Sequence, residues 1–109
     1  MAKTTKIQLD TERLRISTDV MRALAHPLRL QILALLHTRT TANVQTIYTA
    51  LGIEQSVASQ HLRVLRQAEL VSTDRQGKNV FYLLNEERLA RAGQVAEQLA
   101  AFVGPKIKG

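Results

Sequence analysis

Gly52 lies between two apolar patterns of helical spacing, and this constrains the chain more than any other feature of its sequence. Ala50 and Leu51 close the first pattern, and a glycine directly after them supplies the backbone freedom that a sharp turn needs. Beyond it, Ala58, Leu62 and Leu65 recur at helical intervals, which predicts a second helix with an apolar back. Its other side carries Gln55, Ser56, Ser59, Gln60 and Arg63, which are short polar side chains plus one cation. Such groups can approach base edges and phosphates in a major groove, so the segment reads as a helix-turn-helix. Any amphipathic helix has a polar face, however, and glycine turns join helices in many bundles. What surrounds the segment favours the first reading.

Upstream, Asp10 is placed to cap a helix running to about Ala25, with Leu14, Val20, Met21 and Leu24 as candidate buried positions. His26-Pro27 interrupts it, because proline restricts the residue before it and is favourable at a first helical position. A second helix is predicted from Pro27 to His37 with Leu28, Ile32, Leu35 and Leu36 apolar, then a polar loop from Thr38 to Thr41. A third helix covers about Asn43 to Leu51, and the candidate recognition helix about Gln55 to Ala68. Between Leu70 and Leu84 two β-prone runs flank a charged, turn-rich centre from Asp74 to Asn79, a β-hairpin with Arg75 and Lys78 near its tip. Asn85 can cap a last helix, about Glu86 to Val103, before Gly104-Pro105 stops it.

The order is therefore α-α-α-α-β-β-α, a mainly α chain with a small β-hairpin. One domain is expected over residues 10–104, between a flexible basic arm (1–9) and a basic tail (105–109). A basic hairpin directly after a recognition helix makes this a winged helix-turn-helix, in which cations at the wing grip phosphates or a minor groove.

Composition agrees with a polyanionic partner. At 109 residues the chain is large enough for one modest core, and 15 Lys and Arg outnumber 9 Asp and Glu to give +6. There is no cysteine, which removes disulfides, thiolate metal sites and thiol redox chemistry. No apolar run approaches the ~20 residues that span a bilayer. Met1 to Lys6 lacks the apolar stretch of a signal peptide, so no membrane association and a cytoplasmic location are expected. Enzyme readings find little support: there is no Gly-rich phosphate loop, and Ser56 and Ser59 lack a nucleophile-elbow context. Glu86-Glu87 reads as an acidic helix start favoured by the dipole.

Three segments together resemble the ArsR-type family of winged-helix repressors. They are Ala23 to Leu33 (ALAHPLRLQIL), Gln55 to Leu65 (QSVASQHLRVL) and the wing ending Val80-Phe-Tyr-Leu-Leu84. The match covers roughly residues 17–90 in order. The resemblance implies a homodimeric repressor that binds double-stranded DNA at a pseudo-palindromic operator, and a small-molecule inducer of unknown nature in members that have one. It places base reading on Gln55, Ser56, Ser59 and Gln60. His61 falls between the polar and apolar faces, a candidate either for DNA contact or for a hydrogen bond inside the fold. Arg63 and Arg66 are candidate phosphate contacts or solvated charges. The resemblance also puts the dimer interface on the first and last helices, at Leu14, Leu89, Ala92, Val95, Ala96, Leu99, Phe102 and Val103. The other reading of that strip is that it covers the chain's own core.

Departures from the family carry information too. The family's metalloid sensors place Cys-x-Cys in the third helix, where this chain has Asn43 and Gln45, and neither amide replaces a thiolate. Zinc-type members bind through the last helix, where Glu86 and Arg88 stand at the first pair and Gln98 to Phe102 contains no His. Arg88 cannot deprotonate to coordinate a cation. His26, His37 and His61 are scattered over separate elements, with His26 a candidate cap. No metal and no cofactor are therefore expected. The competing function is a protein–protein interaction module on the same scaffold, since fold does not fix function.

Overall fold

The computed structural model describes the backbone of residues 11–103 and the side chains of Arg15 and of residues 18–94. The expected arm, the tail and the Asp10 cap lie outside the described residues. Five helices and three strands follow in the order α1 (Thr11–Leu24), α2 (Pro27–Arg39), β1 (Thr41–Asn43), α3 (Val44–Leu51), α4 (Gln55–Gln67), β2 (Val71–Gln76), β3 (Asn79–Leu84) and α5 (Glu86–Val103). The strands form one antiparallel sheet of order β1-β3-β2.

Local chemistry explains most boundaries. Pro27 opens α2, and the Nδ1 of His26 accepts the Leu28 N–H at 3.1 Å, so the histidine is the N-cap. Asn43 caps α3 by accepting the Thr46 N–H at 2.9 Å. Gly52 ends α3 at φ 67° and ψ 34°, its N–H directed to Thr49 O while Ile53 N–H reaches Tyr48 O at 3.1 Å. These paired bonds are a Schellman close. Helix α4 ends the same way, with Glu69 N–H on Arg66 O and Leu70 N–H on Leu65 O, both at 2.9 Å. Here the left-handed residue is Glu69, φ 60°, not a glycine.

Two expectations need correction. The loop from Thr38 to Thr41 is shorter than expected, because α2 runs on to Arg39 and the chain turns at Thr40 (φ 71°) into strand β1. Ala42 pairs with Tyr82 in this strand. Three residues are too few to show an alternation, so only the partner strand reveals it. The hairpin turn is also tighter, with strand pairing reaching Gln76↔Asn79. Gly77 at φ 65°, followed by a Lys78 without positive φ, gives the pattern of a II′ turn. Lys78 is therefore at the tip, while Arg75 is within β2, opposite Val80.

The core lies between the helices and one face of the sheet. Ile32, Leu36, Ile47, Leu62, Leu65 and Leu70 are its largest fully buried side chains. Ala58, Leu62 and Leu65 are buried along α4, as the periodicity predicts. Burying a leucine fully contributes roughly 1.5–3 kcal/mol, so this back face fixes which side of α4 remains outside. In α1, Val20 is buried and Leu24 half-buried, but Met21 is 36% exposed and not a core residue. On α5, Ala92 is buried in the core and Leu89 packs against it. These two positions of the expected dimer strip contribute to the chain's own core, Leu89 being only partly buried there. The side chains of Leu14, Val95, Ala96, Leu99, Phe102 and Val103 lie outside the described residues.

Candidate nucleic-acid interface

With its apolar side fixed by the core, α4 turns Gln55, Ser56, Ser59, Gln60, Arg63 and Arg66 outward, all exposed. At about 100° per residue they divide into two neighbouring rows. Gln55, Ser59 and Arg66 fall within about 40° of one another, while Ser56, Arg63 and Gln60 follow between about 80° and 140°. Glu54, the N-cap position, makes no side-chain capping bond, and no acidic residue occupies the first turn of α4.

The first row borders an open groove of about 570 Å³ between α4, α3 and the wing. Gln55, Ser59 and Arg66 line it from α4, and Lys78 and Tyr82 from the hairpin. Arg75, directly opposite Val80, shares a sheet face with a groove-lining residue, and Lys78 is exposed at the tip. Asp74 stands opposite Phe81 on the other face, where its carboxylate accepts a hydrogen bond from Gln76 Nε2 at 3.0 Å. The single acid of the wing is thereby kept off the groove face.

His61 is placed differently from its neighbours. It projects about 100° around α4 from Gln60 and about 160° from Arg63, half-buried, with its ring against that of His26 (centroids 4.4 Å apart, planes tilted 50°). Burial lowers its pKa below the usual histidine value, and the nearby His26 and the Arg29 guanidinium lower it further. The geometry thus gives His61 a ring contact with His26 inside the fold. Two histidines that are far apart in sequence are therefore neighbours in space, contrary to their apparent scatter. The spacing gave no signal of this, because the contact joins the start of α2 to the middle of α4. Among the described residues no group of three or more His, Cys, Asp or Glu could hold a metal ion. His37 pairs with Glu86 at 3.2 Å, and Arg88 with Glu69 at 2.9 Å. Asn43, Glu86 and Arg88, at the family's ligand positions, thus hold structural bonds.

Sequence reasoning missed the contribution of α3. Gln45 and Tyr48 line the groove opposite α4, and their interval of three residues puts them on one helix face. That interval was visible, but without the position of the wing nothing distinguished it from a solvated face.

Comparison with known proteins agrees with this architecture. A helix-turn-helix domain family model matches residues 24–74. An HTH-type transcriptional regulator of Mycobacterium tuberculosis, uncharacterised, is 33% identical over 89 residues, covering 82% of this chain and 78% of that one. The biofilm growth-associated repressor of Agrobacterium fabrum is 39% identical over 87 residues, 80% of this chain and 72% of the repressor. The solution structure of a homodimeric winged helix-turn-helix DNA-binding domain from Mycobacterium bovis superposes with a TM-score of 0.71 at 32% identity, covering 89% of this chain and 91% of that one. These relatives are regulators and DNA-binding domains, not enzymes, and among the described residues no helix is long and apolar enough to cross a membrane. The chain belongs to the ArsR-type family of winged helix-turn-helix transcriptional regulators.

Proposed function

We propose that this protein is a dimeric transcriptional repressor that inserts α4 into the major groove of a pseudo-palindromic operator, and that it does so without responding to metal. The observation that carries this reading is the outer surface of α4, whose amides, hydroxyls and arginines lie beside a wing that keeps its cations on the groove side and its one acid off it. Gln55, Ser56, Ser59 and Gln60 read base edges, and Gln60 is suited to a bidentate contact with adenine. Arg63, Arg66, Arg75 and Lys78 neutralise phosphates. His61 serves the fold. Acting on chromosomal DNA, the protein works in the cytoplasm. Repression is the activity of the Agrobacterium relative, and homodimerisation that of the Mycobacterium bovis domain.

The test is to select bound fragments from the source genome and titrate the best duplex against salt. A steep fall of affinity with salt is expected, because each phosphate contact releases counterions. Gln60→Ala should cost roughly 1–3 kcal/mol and relax one base position per half-site. Operator affinity should be equal with chelator and with added zinc, nickel, cadmium or arsenite. Absence of duplex binding, with capture of a protein partner by the same face, would replace this reading with a docking module.

A further inference from the structure

His61 belongs to the recognition helix, yet it faces away from Arg63 and towards the start of α2, where its ring meets that of His26. His26 is also the N-cap of α2, and its Nδ1 can accept the Leu28 N–H only while that nitrogen carries no proton. Arg29, in the first turn of α2, sets a guanidinium near the same pair and disfavours a charge on His61. The Arg29 Nε is buried and has no hydrogen-bond partner among the described residues, and Nη2 donates to a carbonyl, Arg22 O, at 3.4 Å. The cluster thus holds one fixed cation and two imidazoles. The carboxylates of the elements packed on α4 are engaged elsewhere. Asp19 of α1 is paired with Arg15 and Arg22, and Asp74 of β2 is bonded to Gln76 in the wing, beside Arg75. The ionisable residue of α3 is Tyr48, which lines the groove on the other side of α4. One turn either way along α4, the neighbours of His61 are Val57, Ala58, Val64 and Leu65, which carry no charge.

We propose that the His26–His61 contact is a proton-sensitive latch, which holds the recognition helix against the start of α2 and releases operator DNA when the pH falls. It rests on the DNA-binding reading above and adds a signal to which that binding responds. While both rings are neutral they pack together. A proton on His61 places a second cation beside Arg29, with no carboxylate of the cluster to offset it, and withdrawal of the ring from α2 relieves the repulsion. His61 directly follows Gln60 and stands two residues before Arg63, so withdrawing it shifts the helix that carries the base-reading side chains. The sign of the effect is distinctive. Added protons by themselves raise the positive charge of the protein and strengthen its attraction to phosphates. A latch opened by protonation does the opposite, and by reciprocity bound operator makes His61 harder to protonate.

The experiment titrates the full chain with its genome-selected operator at constant salt, from about pH 7.5 to about pH 5, with circular dichroism confirming the fold at each pH. Affinity of the unaltered protein should fall by about fivefold or more. His61→Gln, neutral at every pH, should abolish that fall. His26→Asn, which keeps a capping side chain and removes the imidazole, should reduce it. His37→Gln, at the far end of α2, should leave it as in the parent. A second measurement needs no variant: the ring signals of His61, followed by NMR, should titrate at lower pH with operator bound than without it. Affinity that is flat or rises on acidification overturns the inference. So does a fall that survives in His61→Gln, or an operator that makes His61 easier to protonate. If His61→Gln does not fold, the NMR titration of the unaltered protein decides. If the unaltered protein binds no duplex at about pH 7.5, the DNA-binding reading fails and the latch with it. If it binds with a base preference that Gln60→Ala relaxes, but without the pH dependence, the latch alone fails.

Discussion

The demand for glycine at position 52 comes from the backbone alone. A Cβ built there meets nothing within 4 Å, but φ is +67°, which L side chains rarely adopt. Gly52→Ala should therefore cost about 1–2 kcal/mol without filling any space, and chemical denaturation against the parent measures it. His61 provides a second isolated test. Its folded-state pKa is lowered by burial and by the cationic surroundings of His26 and Arg29. The unfolded chain thus takes up the proton first as pH falls. Stability is complete above the ordinary histidine value of 6.5 and declines between that value and the lowered folded one. Thermal midpoints measured from about pH 7.5 to about pH 5.5 should fall, and His61→Gln should flatten that fall. An unchanged slope in the variant would mean that the imidazole stays as accessible to protons in the fold as in the unfolded chain.

Between elements, the junction of α4, the wing and α5 is held by polar groups from a single turn. Asn85 accepts the Arg88 N–H at 3.1 Å as the cap of α5, and its Nδ2 donates to Glu69 O at 3.0 Å. The Arg88 guanidinium closes on the Glu69 carboxylate. Asn85→Ala removes both a helix cap and a tether, so it should destabilise by about 1–2 kcal/mol. Arg88→Ala breaks a pair whose Glu69 partner is 71% exposed and should cost less than about 1 kcal/mol. Urea denaturation of the two variants checks the order. The Asn85 cap could be read from sequence because capping is local chemistry, and the same holds for His26, for Gly52 and for the buried back of α4. Strand β1 could not be read, since its three residues become a strand only against β3. For the same reason neither the His26–His61 contact nor the α3 wall of the groove was legible before folding. Of the interface, the α4 residues were legible through their period, while the third wall depended on where the hairpin folds back.

For the whole molecule, one recognition helix per chain offers few base contacts, and two-fold pairing would double them on a symmetric site. The proposed pairing uses α1 and α5, with Leu14, Leu89, Ala92, Val95, Ala96, Leu99, Phe102 and Val103 as its candidate contacts. The chain should sediment as a dimer at micromolar concentration. Leu99→Glu should give monomers, because a carboxylate without a counter-charge is costly to bury between apolar surfaces. It should also weaken binding to a two-half-site operator much more than to a single half-site. The selected fragments should show two symmetric half-sites separated by about one helical turn or a multiple of it. Circular dichroism of Leu99→Glu separates loss of pairing from loss of fold: a helical, cooperative monomer that still binds a half-site duplex is the expected product. A Leu99→Glu dimer with full operator affinity would place the interface elsewhere, and that face of α5 would then have to cover core within its own chain.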